Sequence, residues 1–370
     1  MEDSALVYIG TYTQPIRFGT GEIVESKGAG IYVYRLHRSS GELTLCHTIS
    51  GVANPSYLAF GPTQQFVYAV NELKEIDGKP GGSVSAFAVH SQSGTLRFLN
   101  TQLTHGADPC HVAVNRTGSH LFVANYMSGS VCVLPILEDG RLGEAGDVKQ
   151  HHGSSVNPKR QAGPHAHSVW FDDQNSLAFV PDLGLDEVVA YTFDSQAGKL
   201  RLREASSLKG RPGAGPRHIA FHPNRRYAYL INELDSSLDA FVYNGAAGSL
   251  TSIQTIATLP KEFHGDNWCA DVHVGPSGQY VYGSNRGHDS IVVYRIDQDT
   301  GMLACVGHAS TQGRTPRSFA IDSTGQFLLA ANQDSNSVRS FRIDRHTGEL
   351  QPTGFGAEIP TPVCVKIVRS

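Results

Sequence analysis

The sequence predicts an all-β fold assembled from seven repeats of a four-stranded unit. An apolar segment with alternating residues, nearly always led by proline, recurs every 46 to 55 residues along the chain. Each copy is followed by the same order of short apolar runs and by a Gly-x-Leu turn. The N-terminal region has the later runs without the proline-led segment, and the C-terminal region has that segment alone. Such a fixed period is typical of repeat architectures, in which each unit packs against its neighbours.

The first strand of each unit starts at a proline, which a strand tolerates there because its hydrogen-bond ladder has not yet begun. These positions are Pro55, Pro109, Pro164, Pro216, Pro316 and Pro362, with Trp268 in the remaining one. Second and third strands follow as short runs rich in β-branched and aromatic residues. The glycines that lead into the fourth strands are Gly94, Gly140, Gly198, Gly248, Gly301 and Gly348. Four short strands per unit are typical of a β-propeller blade.

The two ends of the chain supply the parts of one further blade. Residues 6–9, 30–34 and 41–43 form three strands without a leading segment, and residues 362–367 provide that segment. Joining them closes the ring and leaves no open sheet edge. We therefore predict a seven-bladed β-propeller with four antiparallel strands per blade, in which the N- and C-terminal strands share one blade. We expect a single domain over residues 1–370.

The composition excludes several classes of protein. The chain has 370 residues with 30 basic and 34 acidic side chains, which gives a net charge of −4. Hydrophobic residues make up 40% of the chain and charged residues 17%. This balance excludes a disordered chain and a strongly basic nucleic-acid binder. We therefore expect a folded chain without a nucleic-acid partner.

The sequence also predicts where the protein resides. No apolar run reaches the length of about 18 residues that a transmembrane helix requires, so no membrane association is expected. The acidic start, Met1-Glu2-Asp3-Ser4, is unlike the basic start of a signal peptide. The six cysteines lie far apart without a C-x-x-C pair, which indicates reduced thiols. We expect a cytoplasmic protein.

One end of the blades collects chemically reactive side chains. The first two strands of a blade form a hairpin, so the start of the first lies beside the end of the second. The innermost strand lines the central channel, and both positions are therefore expected around one channel mouth. The starts of first strands supply His111, His165, His167, Arg217, Asp271 and Arg317. The ends of second strands supply Glu72, Asp182, Glu233 and Arg286.

The opposite hairpin ends carry ordinary turn residues such as Pro223 and Gly278, so the asymmetry predicts a site at one mouth. Three arginines facing one pocket suit a phosphate or carboxylates, which a guanidinium binds through paired hydrogen bonds. A carboxylate or imidazole beside them can act as general base on water, and an arginine or histidine can stabilise an oxyanion. Arg160, in the loop before His165, either reaches over this mouth or lies on the surface.

The motifs of this site follow a familiar pattern. They are residues 155–167, Gly-Pro-Arg217-His218, Asn232-Glu233 and Ser284-Asn285-Arg286. With the seven-blade repeat, they resemble the seven-bladed lactonase family, which includes bacterial 6-phosphogluconolactonases of the propeller type and fungal carboxy-cis,cis-muconate cyclases. The resemblance implies a catalytic set of one histidine, either His165 or His167, with Arg217, Glu233 and Arg286. Trp268 departs from the proline pattern and is expected to reshape the pocket near Asp271.

The resemblance implies a lactonase acting on a sugar lactone, with 6-phospho-D-glucono-1,5-lactone as the expected substrate. Glu233 or a pocket histidine would activate water, while Arg217 and Arg286 would hold the phosphate or the tetrahedral oxyanion. The hairpin positions and the loop supply the expected substrate-binding residues, namely Glu72, His111, Arg160, Asp182, Asp271 and Arg317. No metal or organic cofactor is expected, and the expected partner is a small anionic lactone.

Other interpretations of the same residues stay open. Closure of a carboxylated muconate to its lactone would use the arginines as carboxylate clamps, and a propeller can also be a non-catalytic binding platform. His165 and His167 could hold a metal or be structural, and Arg217 with Glu233 could form a structural ion pair. Turn capping or calcium binding is an alternative for Glu72 and Asp182. The absence of a G-x-S-x-G motif disfavours a serine hydrolase, and the sequence does not constrain the oligomeric state.

Overall fold

The computed structural model describes residues 4–17, 21–76, 78–172 and 177–368. The regular elements in these ranges are almost all β-strands, which form seven antiparallel sheets and two short ribbons. The sheets are numbered as blades 1 to 7, starting with the blade that contains both chain ends. Residues 1–3, most of the acidic start considered above, lie outside the described residues.

Strands pair in sequence within each blade. Blade 1 consists of Pro362–Ile367, Ser4–Thr11, Gly30–His37 and Leu43–Ser50. Blade 2 consists of Leu58–Phe60, Phe66–Asn71, Ser83–Val89 and Leu96–Leu103. Blade 3 consists of Pro109–Val114, His120–Asn125, Ser130–Pro135 and Asp147–Gln150. Blade 4 consists of Trp170–Phe171, Leu177–Asp182, Glu187–Asp194 and Lys199–Leu202, with Leu208–Lys209 added to its third strand.

The remaining three blades each consist of four strands that are consecutive along the chain. Blade 5 consists of Pro216–Phe221, Tyr227–Asn232, Ser237–Asn244 and Ser249–Ala257. Blade 6 consists of Trp268–Val274, Tyr280–Arg286, Ser290–Ile296 and Leu303–Ser310. Blade 7 consists of Pro316–Ile321, Phe327–Asn332, Ser337–Ile343 and Leu350–Glu358.

Few elements lie outside the blades. One ribbon pairs Ile16–Arg17 with Ile23–Val24, and the other pairs Glu75–Ile76 with Lys79–Pro80. A single turn of 3₁₀ helix covers Glu204–Ser206. Within the described ranges, none of the helical structure has the length and apolar character that crossing a membrane requires.

The predicted fold class is confirmed, including the blade shared by the two chain ends. Blade 4 differs from the expectation, because the segment that contains His165 does not form a regular first strand. The main-chain N–H of His165 donates to the Asp182 side chain at 2.7 Å, and only an isolated bridge joins Ala166 to Asp182. A carboxylate thus takes the hydrogen bond that a strand neighbour would otherwise accept. The short first strand, Trp170–Phe171, begins only after this region.

The chain divides into two compact units by its internal contacts. Unit 1 comprises the described residues of Met1–Ile9, Tyr32–Cys46 and Arg217–Ser370, and unit 2 those of Gly10–Ile31 and His47–Pro216. Unit 1 holds most of blades 5 to 7, and unit 2 holds blades 2 to 4. The expectation of a single domain stays a prediction.

In unit 1, tyrosines on the second strands hold the Gly-x-Leu turns of the following blades. The hydroxyls of Tyr229 and Tyr282 donate to the carbonyls of Gly301 and Gly348, each at 3.1 Å. Both glycines have positive φ angles, 76° and 78°, and a Cβ on either would lie within 2.4 Å of a tyrosine ring. The Gly-x-Leu repeat therefore reflects a packing requirement between neighbouring blades.

β-Bulges interrupt several first strands near their starts. They lie between Pro109 and His111, between Cys269 and Val272, and between Pro316 and Ser318. A bulge leaves one residue out of the ladder, increases the local twist and redirects nearby side chains. The starts of these strands are the positions at which the sequence predicts functional residues.

Candidate active site

In unit 1, two arginines bind one buried carboxylate. Arg217 Nε lies 3.0 Å and Arg286 Nη2 lies 2.8 Å from the same oxygen, Oε2 of Glu233. We call these three residues the Arg–Glu–Arg cluster. Hydrogen bonds between ionised groups are strong and fix the guanidinium planes. The structure thus brings together three of the residues that the sequence predicts as catalytic.

Irregular backbone supports the two guanidinium groups. Arg217 follows the first residue of blade 5, Glu233 follows the second strand of that blade, and Arg286 ends the second strand of blade 6. Arg217 Nη1 donates to the carbonyl of Ala270, and Arg286 Nη2 donates to the carbonyl of Cys269 at 2.9 Å. Both carbonyls lie in the bulge of blade 6, where they are available to side chains because the regular ladder is interrupted.

The two arginines differ in exposure. The side chains of Arg217 and Glu233 are 3% and 6% exposed, whereas that of Arg286 is 13% exposed. The Nε of Arg286 also lies 3.3 Å from the carbonyl oxygen of Trp268, the residue that replaces the usual proline. Arg286 is therefore the more exposed cation of the cluster.

A histidine and an aspartate extend the network from Arg217. Arg217 Nη1 lies 3.3 Å from His218 Nε2, and His218 Nδ1 lies 2.9 Å from Asp271 Oδ1. The Ser318 hydroxyl donates to Asp271 Oδ2 at 3.2 Å, and His273 Nε2 lies 3.3 Å from the same oxygen. Arg217, His218 and Asp271 are all buried. Asp271, predicted to bind substrate, thus contacts the cluster through His218.

This environment sets the ionisation of His218 and Asp271. Burial, together with the charge of Arg217, lowers the pKa of His218 to about 4, although Asp271 acts to raise it. Burial acts to raise the pKa of Asp271, but the charge of His273 and hydrogen bonds from His218 and His273 hold it well below 3.8. Near neutral pH, His218 is therefore neutral and Asp271 is ionised.

In unit 2, His165 and His167 contact the ring of Tyr126. The His165 ring stacks on it with centroids 4.6 Å apart and an interplanar angle of 14°. His167 contacts the same ring edge-on, with centroids 5.4 Å apart. Arg160 Nη2 donates to the Tyr126 hydroxyl at 3.2 Å. These four residues are called the histidine cluster, and Tyr126 links the predicted loop arginine to both predicted histidines.

The two histidines are not equivalent. His165 is partly exposed, and its Nδ1 lies 3.0 Å from the carbonyl oxygen of Tyr126, which can only accept. In the neutral imidazole Nδ1 therefore carries the hydrogen, and Nε2 holds the lone pair that can take a proton. His167 is buried, and its carbonyl accepts from the Cys110 thiol at 3.2 Å. The geometry favours His165 as the histidine that exchanges a proton with a ligand.

Unit 2 also buries a pair of carboxylates. Glu72 and Asp108 are 5% and 4% exposed, and the Tyr12 hydroxyl lies 3.1 Å from one oxygen of Glu72. Lys74 Nζ lies 3.9 Å from Asp108 Oδ2. Burial and the negative charge of Glu72 raise the pKa of Asp108 to about 7, although Lys74 acts to lower it. Unit 2 therefore contains a buried carboxyl group with a pKa near neutral pH.

A family model described as "Lactonase, 7-bladed beta-propeller" matches residues 6–367. The chain belongs to the seven-bladed β-propeller lactonase family. The resemblance recognised in the sequence is thereby confirmed. A 6-phosphogluconolactonase of Bacillus subtilis (strain 168) is 37% identical to this lactonase-family chain over 362 residues, which cover 98% of each protein.

Solved structures of similar proteins agree with the family assignment. A putative 6-phosphogluconolactonase from Bacteroides fragilis is 35% identical to this lactonase-family chain with a TM-score of 0.89, and the match covers 99% of this chain and 98% of the other. A periplasmic gluconolactonase from Pseudomonas aeruginosa is 32% identical with a TM-score of 0.90, and the match covers 99% of each chain.

In this family member, Asp182 has a structural environment. Its Oδ1 accepts from the main-chain N–H groups of His165, Gly184 and Leu185, and its Oδ2 lies 2.6 Å from His151 Nδ1. At the same strand end of other blades, asparagine donates to a threonine carbonyl in the pairs Asn125–Thr104, Asn285–Thr258 and Asn332–Thr311. In blade 4, the Asp182–His151 pair therefore takes the place of this asparagine–threonine hydrogen bond. Substrate binding by Asp182 stays a prediction, which this geometry does not favour.

Two further predicted residues, His111 and Arg317, lie near the starts of the first strands of blades 3 and 7. His111 is buried between the rings of Tyr57 and Trp170, whose centroids lie 4.3 and 5.1 Å from its own. This packing is typical of a core histidine. Arg317 is partly exposed at the bulge of blade 7, next to the Ser318 that binds Asp271. Substrate binding by His111 and Arg317 stays a prediction.

Three residues that the sequence did not indicate as candidates interact with predicted ones, namely His218 with Arg217, Tyr126 with His165 and Asp108 with Glu72. His218 directly follows Arg217, and Tyr126 lies one residue beyond a predicted strand end. Asp108 precedes a proline anchor and has a positive φ angle of 52°, so its position indicates a turn before any other role. Within the described part of the chain, no group of three or more His, Cys, Asp or Glu residues is placed to hold a metal ion.

Proposed function

We propose that this protein hydrolyses 6-phospho-D-glucono-1,5-lactone to 6-phosphogluconate. The observation that carries the proposal is the Arg–Glu–Arg cluster, in which two guanidinium groups bind one buried carboxylate oxygen. The names of the Bacillus and Bacteroides relatives support the phosphorylated substrate. The substrate carries a phosphate, and its reaction develops an oxyanion, so a fixed cationic group serves both binding and catalysis.

Arg286 is the residue that we assign to the anionic substrate. It is the more exposed arginine of the cluster, and its orientation is fixed by Glu233 and by the Cys269 carbonyl. A guanidinium presents donors in a planar fork that matches a phosphate or a carboxylate. Arg217 and Glu233 are assigned to holding this fork in place, with Arg217 adding positive charge to the site.

The proposed reaction balances without a metal or an organic cofactor. The oxygen of water forms a bond to the lactone carbonyl carbon while a base takes one of its protons. The carbonyl oxygen becomes an oxyanion, which a guanidinium stabilises. The ring C–O bond then breaks, the ring oxygen takes a proton, and the carboxylic acid formed releases one proton near neutral pH.

Two groups are candidates for the base. Glu233 lies in the Arg–Glu–Arg cluster, but its Oε2 already accepts from both arginines. His165 offers an Nε2 lone pair in the neutral imidazole, with Nδ1 held by the Tyr126 carbonyl. His165 is partly exposed, whereas Glu233 is buried, which favours the imidazole as the group that meets the water molecule. We assign the proton transfer to His165 and the placement of the arginines to Glu233.

The test is a proton-release assay on freshly generated lactone with the spontaneous opening subtracted. Wild-type protein is expected to accelerate opening equally with and without EDTA. Glu233→Gln and His165→Gln are both expected to reduce kcat, and His165→Gln, which removes the proposed base, is expected to do so by about 100-fold or more. A smaller reduction in His165→Gln than in Glu233→Gln would contradict the assignment of the base to His165.

The wild-type and variant proteins of this assay also test the alternative functions. Loss of the ultraviolet absorbance of a carboxylated muconate, in the absence of lactone opening, would identify the cyclase reaction instead. Tight binding of 6-phosphogluconate without turnover would identify a binding role. Acceleration of lactone opening by wild-type protein, with loss in the variants, is the result that the proposal requires.

The location and metabolic role follow from the proposal. We propose that the protein acts in the cytoplasm, within the pentose phosphate pathway. All six cysteines are free, which fits a reducing compartment. Cell fractionation with an antibody against the protein tests the location, and recovery with the periplasmic fraction would contradict it.

A further inference from the structure

We propose that His218 and Asp271 are positioning residues that hold the guanidinium of Arg217 in the orientation in which its Nε binds Glu233. The inference rests on the proposed lactone hydrolysis, because it assigns these residues a part in that reaction. Neither residue belongs to the Arg–Glu–Arg cluster, and both act through Arg217.

The geometry forms one chain of hydrogen bonds that ends at the carboxylate of Glu233. Asp271 Oδ1 accepts from His218 Nδ1 at 2.9 Å, and His218 Nε2 faces Arg217 Nη1 at 3.3 Å. On its other edge, Arg217 donates through Nε to Glu233 at 3.0 Å. The guanidinium is thus held on two edges, and its third support is the Ala270 carbonyl. Turning this plane would break the bond to Glu233.

Only one protonation state of His218 fits this chain. An ionised Asp271 can only accept, so Nδ1 of His218 must carry the hydrogen. Arg217 can only donate, so Nε2 of His218 must carry a lone pair. A protonated His218 would place a second N–H and a second positive charge against the guanidinium. The charged or titratable groups around this ring are Arg217, Asp271 and His273, and burial with the charge of Arg217 lowers the pKa of His218 to about 4.

Another buried histidine of unit 1 shows what a structural role looks like. His222 lies one residue after the same strand; its Nε2 lies 2.7 Å from the Gly278 carbonyl oxygen and its Nδ1 accepts from the Asn224 N–H. These two partners are main-chain groups of turns. His218 instead connects two charged side chains, one of which binds Glu233.

The experiment compares His218→Phe with His222→Phe, since each removes a buried imidazole of similar size from neighbouring positions. In the proton-release assay His218→Phe is expected to lower kcat by about 10- to 100-fold, the usual cost of misplacing a catalytic group. KM is expected to change little, because Arg286 still meets the substrate. His222→Phe is expected to keep kcat within about twofold of wild type after correction for the folded fraction. Equal kcat values for the two variants would overturn the proposal.

A second measurement keeps the inference testable without activity. Nitrogen-15 NMR of the histidine side chains at pH 7 is expected to show His218 with Nδ1 protonated and Nε2 unprotonated, the only state that fits between Asp271 and Arg217. Protonation of Nε2 at pH 7 would overturn the proposal even if His218→Phe does not fold. If wild-type protein does not open the lactone, the proposed function fails, and the NMR result alone decides whether Arg217 is held as described.

Discussion

Unit 1 buries Glu233 between two guanidinium groups, whereas unit 2 buries Asp108 near a second carboxylate, Glu72. Asp271 of unit 1 and Asp108 of unit 2 differ correspondingly in the direction of their pKa shifts. The pKa of Asp271 lies well below 3.8, because the charge of His273 and hydrogen bonds from His218 and His273 outweigh burial. The pKa of Asp108 is raised to about 7, because burial and the charge of Glu72 outweigh the attraction of Lys74 at 3.9 Å.

The difference shows that burial alone does not decide the state of a carboxyl group. Removing a charge from water is costly, and the cost is offset only when a partner of opposite charge is close and well oriented. Unit 1 supplies such partners through residues near the starts and ends of its strands. Unit 2 leaves Asp108 with a weak cationic partner, so that protonation becomes the easier solution.

The largest expected effect comes from removing a cation from the paired carboxylate. Arg217→Ala leaves Glu233 buried with one guanidinium fewer, and breaking a buried pair in this way costs about 3–5 kcal/mol of unfolding free energy. Urea denaturation at pH 7 measures the change. A loss below about 1 kcal/mol would contradict the view that Glu233 depends on both arginines.

In unit 2, a substitution of Asp108 is expected to raise the unfolding free energy, by less than Arg217→Ala lowers it. Because the pKa of Asp108 is higher in the folded chain, at about 7, than its ordinary value of 3.8, the folded state binds more protons between these values. The contribution of Asp108 to stability therefore falls as the pH rises from about 4 to about 7, and stays low above that range.

Asp108→Asn removes the loss of stability that Asp108 causes as the pH rises. Asparagine also tolerates the positive φ angle of 52° at this position. The variant is expected to be more stable than wild type at pH 8, by about 2 kcal/mol, with a limit near 4 kcal/mol set by the full pKa change. The gain should vanish near pH 4. Urea denaturation at both pH values measures it, and a gain that does not depend on pH would show that the raised pKa of Asp108 is not its cause.

The smallest effect is expected at an exposed ion pair of unit 1. Arg339 Nη2 lies 2.8 Å from Glu358 Oε1, the same distance as between Arg286 and Glu233, but the Glu358 side chain is 70% exposed. Water screens such pairs, so Arg339→Gln is expected to change the unfolding free energy by less than about 1 kcal/mol. A change as large as that of Arg217→Ala would show that pairing geometry, not burial, sets the strength of these pairs.

The sequence predicted the blades well because their causes are local and repeated. Proline at strand starts and glycine in the Gly-x-Leu turns each meet a local backbone or packing requirement. At Gly301 and Gly348 a Cβ would collide with a tyrosine ring, so only glycine fits. The shared terminal blade followed from the same period. The short first strand of blade 4 was not predictable, because it depends on the Asp182 side chain taking a main-chain hydrogen bond.

The candidate site was only partly predictable for a related reason. Strand position placed Arg217, Glu233 and Arg286 near one another, and the structure shows them in contact. Strand position also selected Asp182, whose oxygens are occupied by main-chain N–H groups and His151. The pattern shows where a strand ends, but the direction and partners of a side chain depend on bulges and on distant segments. For the same reason the link from Asp271 through His218 was not visible in the sequence.

Lactone opening by Arg286→Gln and Arg339→Gln tests whether the Arg–Glu–Arg cluster is the active site. Both substitutions remove a guanidinium that pairs with a glutamate at 2.8 Å, but only Arg286 belongs to the Arg–Glu–Arg cluster. We expect Arg286→Gln to lower kcat/KM for 6-phospho-D-glucono-1,5-lactone by about 100-fold or more. Arg339→Gln is expected to remain within about twofold of wild type. Equal activity of the two variants would contradict the assignment of the active site to this cluster.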